Sequence, residues 1–147
     1  MKALLVAALG ACGASSSASP PHGQDHTSVP PDVAELRSLL RQAPDAPFDE
    51  RARQRGCPSD QSLHGYVAML ETQGSSGDVH RLGGGCGAFP ASPLPIDPPA
   101  DAAHWFCTLD AFSSDSAGDS PWHYELHVRV RKIDRVIDLA TLACPGV

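Results

Sequence analysis

The chain has 147 residues, 17 acidic and 11 basic side chains, a formal net charge of −6 and 5% aromatic residues. That length accommodates one domain and not two, and the lack of a basic excess argues against nucleic acid as a partner. No apolar run is long enough to cross a bilayer.

Met1-Lys2 is followed by an apolar run from Ala3 to Ala11. A charged start, a short apolar stretch and small residues at its end predict a secretory signal peptide. The stretch closes on Leu9-Gly10-Ala11-Cys12, which resembles a bacterial lipobox. The resemblance covers residues 1–12 and says nothing about the folded part. It implies that residues 1–11 are a lipoprotein signal peptide and that Cys12 is the lipidated N-terminus, carrying palmitate-like acyl chains. It also implies attachment to the membrane of a cell envelope. Gly13 after the cysteine, where aspartate favours the inner membrane in enteric bacteria, implies the periplasmic face of the outer membrane in a Gram-negative cell. A secreted soluble protein is the alternative.

Residues 12–31 are rich in Ser, Pro and Gly and bury too little to fold, so they read as a flexible tether reaching roughly 20–25 Å. Residues 32–147 are expected to form a small disulfide-bonded α+β domain. Asp32 is placed to cap a first helix, with Glu35 three residues on, Val33, Leu36 and Leu40 on one face, and Pro44 as its stop. Residues 43–58 read as a loop. A second helix is expected from Ser59 to about Gln73, capped by Ser59 or Asp60, with Leu63, Tyr66, Val67 and Leu70 at helical spacing. Gly65 weakens it.

Asp78 to Leu82 reads as a short strand and the Gly83–Gly87 run as a tight turn around Cys86. The prolines of residues 89–99 predict an extended surface connection. Trp105, Cys107, Leu109 and Ala111 alternate with polar positions, as do Trp122, Tyr124, Leu126, Val128 and Val130, which predicts a hairpin with a long polar loop. Val136 to Leu139 adds a third strand. The expected fold is α+β: two short helices packed on a three- to four-stranded antiparallel sheet, covering the face of Trp105, Trp122 and Tyr124.

Five cysteines is an odd number for an exported chain. With Cys12 set aside for lipid, Cys57, Cys86, Cys107 and Cys144 remain for two disulfides. The preferred pairing is Cys57–Cys86 with Cys107–Cys144, the other two connectivities staying open. Their spacing has no C-x-x-C element, which argues against zinc.

His123, Glu125 and His127 lie on one side of a strand and are the best metal candidates. Residues four apart on a strand are about 13 Å apart, however, too far to share one ion, so an exposed polar face is the expected role. His22 and His26 in the tether form a second, looser pair. The Gly83–Gly87 run lacks the Lys-Ser/Thr of a phosphate loop. Asp110, Asp115 and Asp119 offer oxygens without EF-hand spacing. The P-x-x-P spacings at 90/93 and 95/98 fit a linker. Arg129, Arg131, Lys132 and Arg135 form a basic edge, suited to blocking strand aggregation or to meeting an acidic partner or lipid headgroups.

No G-x-S-x-G, H-E-x-x-H or S-x-x-K motif is present, so no catalytic residue is assigned and no cofactor is called for. The expectation is a lipid-anchored, non-catalytic binding module with an envelope protein partner, by analogy inhibitor- or immunity-like. The alternatives are a small envelope enzyme with scattered His and Asp residues, including His80, His104 and the His123 face, and a metal-carrying lipoprotein.

Overall fold

A computed structural model describes residues 28–75, 80–88, 101–113 and 122–146. The expected signal peptide (residues 1–11), Cys12, His22, His26, most of the expected tether, the proline-rich 89–99 stretch, Asp115 and Asp119 lie outside the described residues. Three helices, α1 (Val33–Gln42), α2 (Glu50–Gln54) and α3 (Leu63–Gly74), precede four strands. The strands are β1 (His80–Gly87), β2 (His104–Ser113), β3 (His123–Arg131) and β4 (Ile137–Ala143). They form one antiparallel sheet in the order β1-β2-β3-β4. The α+β fold and the four-stranded antiparallel sheet are as expected, and the short helix α2 is additional.

Local chemistry explains most element limits. Asp32 accepts a hydrogen bond from the Glu35 N–H at 2.8 Å and caps α1, as its position predicts. The packed domain begins earlier than expected, because Pro31 is fully buried. Within the expected 43–58 loop, Asp49 caps the short α2 through the Ala52 N–H, and Ala52 turns into the core. Helix α3 starts later than expected. Its cap is Ser62, whose Oγ accepts from the Gly65 N–H, while Leu63 N–H bonds back to the Ala46 carbonyl. Ser59 and Asp60 form a turn and Ser62 pairs with Pro47 in an isolated bridge, so the helix begins only at Leu63.

The glycine run is strand rather than turn. Gly83 to Gly87 pair with Asp110 to Phe106 along β2. Gly84 has φ +123°, and a Cβ there would stand 2.0 Å from the Thr108 carbonyl oxygen, so only glycine fits the ladder.

The expected disulfide pairing is corrected to Cys57–Cys144 and Cys86–Cys107. Because β1 continues through the glycines, Cys86 lies directly across from Cys107. The end of β4 meets the end of α2 instead, where Cys144 N–H donates to the Arg55 carbonyl at 3.0 Å.

Side chains alternate across a strand, so the sheet has two distinct faces. Trp105, Cys107, Leu109 and Ala111 of β2, with Leu126, Val128 and Val130 of β3, pack against Leu36, Leu40, Leu63, Val67 and Leu70. Trp105 is covered as expected, but Tyr124 is 40% exposed and packs beside Trp122 with ring centroids 5.5 Å apart. Tyr66 ties α3 to β3 by donating its hydroxyl to the Glu125 carbonyl, and burial pushes its pKa to about 12. Opposite the helices, β2 turns His104, Phe106, Thr108, Asp110 and Phe112 outward, and register sets them beside Arg131, Arg129, His127, Glu125 and His123 of β3.

Candidate functional site

The sheet face away from the helices carries a row of ionisable groups on the two inner strands. Glu125 stands between the two histidines predicted to share its side. Its Oε2 lies 2.5 Å from His127 Nε2 and its Oε1 lies 3.2 Å from His123 Nδ1. His127 Nε2 is at hydrogen-bond distance from that carboxylate, whereas His123 stands at ion-pair distance. His123 Nε2 then points at Asp110 Oδ2 on β2, 3.6 Å away. The Phe112 ring meets His123 edge-on with centroids 6.0 Å apart.

These groups are half-buried, not freely exposed as the sequence suggests; the His127 side chain is only 13% exposed. Burial pushes the Asp110 carboxyl above its ordinary 3.8, with Glu125 adding to the effect and His123 opposing it. Gly83 of β1 leaves that carboxyl its space, since a Cβ there would lie 3.0 Å from Asp110 Oδ2.

A second network adjoins the first. Arg129 is 8% exposed. Its Nη1 donates to Asp101 Oδ2 at 2.5 Å and its guanidinium lies over the Phe106 ring, 4.5 Å from the centroid. His104 Nδ1–H donates to Asp101 Oδ1 at 2.8 Å, and its Nε2 lies 3.8 Å from Asp138 Oδ2. Burial works to raise the Asp101 carboxyl, but the bonds from His104 and the Ala103 N–H, with the Arg129 charge, hold it below its ordinary value. The β3–β4 register shifts between His127 and Arg129, where the Arg129 N–H donates to Thr141 Oγ1.

The predicted candidates therefore separate. His123, Glu125 and His127 come together through the central carboxylate, so the wide spacing of the histidines is bridged by a side chain. Among the described residues no three His, Cys, Asp or Glu side chains converge as a metal site. His104 joins the Asp101 network, and His80 opens β1 opposite Ser113. The basic edge is corrected: β3 is an inner strand, Arg129 is buried in an ion pair, and Arg135 pairs with Glu35 at 3.2 Å. Sequence reasoning missed Asp110 as a partner of His123, and missed Asp101. Strand alternation puts Asp110 on the outward side, but only the β2–β3 register sets it opposite Glu125.

Chemically, the row alternates acceptor and donor groups across two strands with aromatic rings at its margins. Such a surface suits polar recognition. No family model, curated protein or solved structure matches the chain.

Proposed function

We propose that this protein is a lipid-anchored component of a bacterial cell envelope, and that its domain is a non-catalytic module binding an envelope protein. The observation that carries the reading is the sheet face away from the helices, over which no described element packs, where Asp110, His123, Glu125 and His127 form one connected, half-buried polar row. Two further features support it. Four cysteines joined in two disulfides suit an oxidising compartment. The lipobox-like Leu9-Gly10-Ala11-Cys12 supplies the anchor.

Two experiments test the two halves of this reading. Intact mass of the native protein, without reductant, should give a chain starting at Cys12, heavier by acyl groups and lighter by four hydrogens for its two disulfides. A full-length reduced chain without lipid would remove the envelope assignment. For binding, a photo-crosslinking residue at Arg81, which shares the polar face with Phe112, should trap one defined partner in cells. The same residue at the exposed Ala68 on α3 should not. Identical adducts from both positions, or none from Arg81, would reject this face as the binding surface.

A further inference from the structure

We infer that the pole of the domain where the chain arrives from its tether rests on an anionic membrane surface, with Ile133 at the point of contact. The inference rests on the lipid-anchored reading above and goes beyond it, since an anchor alone leaves the domain's orientation open.

Four large apolar residues are exposed among the described residues: Val29, Tyr124, Ile133 and Val136. Three of them are gathered at one place. Arg131 N–H bonds the Val136 carbonyl and Arg135 N–H bonds the Arg131 carbonyl, so Lys132 to Arg135 form the tight β3–β4 turn. Ile133 projects from that turn at 84% exposure, and Val136 follows it at 45%. Arg135 Nη2 donates to the Val29 carbonyl at 2.8 Å, which brings Val29, 62% exposed, to the same spot. Tyr124 lies towards the other end of β3.

A groove of about 430 Å³ runs inward from this pole between α1 and the turn, lined in part by Leu39, Ala43, Pro44, Val136 and Ile137. Arg131 pairs with Asp134, the largely buried Arg135 pairs with Glu35, and the Lys132 ammonium, over the Trp105 ring, is left as a local excess of one positive charge on an acidic chain. The occupant follows from where the chain goes next. Residues 12–28 join Cys12 to the domain at Val29, so an acylated Cys12 would attach the domain through this pole and bring it within reach of the bilayer. Exposed aliphatic side chains flanked by basic ones are the chemistry of interfacial attachment. A weak surface contact suffices there, because the tether supplies a high effective concentration.

The test uses the exported chain from residue 12 with Cys12→Ser, so binding owes nothing to acylation. It should co-sediment with vesicles of phosphatidylglycerol and phosphatidylethanolamine more than with phosphatidylcholine vesicles. Ile133→Glu combined with Val29→Glu should weaken that partition by about tenfold or more. Ala68→Glu, which adds one like charge on exposed α3, should change it far less. No sedimentation, or equal loss in both variants, overturns the inference, as does a protein cross-linked specifically through residue 133. Lipidated native protein with an inert lipid-free chain would leave the anchor standing and remove this surface. Unlipidated native protein with a vesicle-binding chain would do the reverse.

Discussion

Arg135 donates to the carbonyl of Val29, 106 residues before it, from a backbone in the left-handed region with φ +57°. Glycine or asparagine serves that conformation better in a tight turn. The arginine is retained by what its side chain does: besides Val29 it meets Glu35 of α1 at 3.2 Å. Arg135→Ala should lose these contacts and keep the strained backbone, costing about 2 kcal/mol. Arg135→Gly should lose the same contacts but recover about 1 kcal/mol of backbone strain. Urea unfolding should therefore rank wild type above Arg135→Gly and Arg135→Ala last.

The β1 glycines make a second, sharper test of the ladder. Gly84→Ala places a methyl group against the Thr108 carbonyl in a backbone conformation unfavourable to alanine. We expect a loss of more than about 3 kcal/mol, or no folded protein. Gly85 also has a positive φ, +150°, but a Cβ there would meet nothing within 4 Å, so Gly85→Ala should cost only about 1–2 kcal/mol. Equal stabilities for the two variants would contradict the β1–β2 register.

How far the sequence foretold the fold depends on where each element's stability comes from. Helix α1 was legible because Asp32, Glu35, Leu36 and Leu40 act within the helix itself. Strands β2 and β3 were legible because their alternation reports two different faces. Helix α2 was not, since five residues carry no usable periodicity and tertiary burial of Ala52 holds them. The Gly83–Gly87 strand was hidden for a related reason: glycine has low strand propensity, and pairing to β2 imposes the conformation. In the candidate site, alternation grouped His123, Glu125 and His127, but their linkage through Glu125 and the approach of Asp110 depend on rotamers and register. The disulfide pairing failed with the turn assumed around Cys86, because its true partner becomes clear only when β1 is carried through the glycines.

The two disulfides should differ in weight. Cys57–Cys144 closes a separation of 87 residues and Cys86–Cys107 one of 21. By chain entropy alone, the first contributes roughly 4–5 kcal/mol and the second roughly 3. The double variant Cys57→Ser with Cys144→Ser should therefore unfold at lower urea than Cys86→Ser with Cys107→Ser. Peptide mapping of unreduced protein checks the connectivity directly, since a fragment joining Cys57 to Cys86 would contradict it.

Two carboxyls should impose opposite pH dependences on stability. Burial works to raise Glu71, but Arg41 and Arg37, at 2.5 and 2.7 Å, outweigh it and hold its pKa below the ordinary 4.5. Its contribution is complete above 4.5 and is lost as pH falls through the lower folded value. Asp110 is displaced upwards, chiefly by burial. The folded state then holds its proton more tightly than the unfolded chain, so its contribution is present below 3.8 and disappears as pH rises through the raised value. Urea midpoints measured from about pH 3 to pH 7 should separate the two. Glu71→Gln should flatten the loss of stability on acidification, whereas Asp110→Asn should steepen the net gain as pH rises, by removing a term that declines. An Asp110→Asn profile parallel to wild type would mean that the carboxyl is better solvated than its place beside His123 implies.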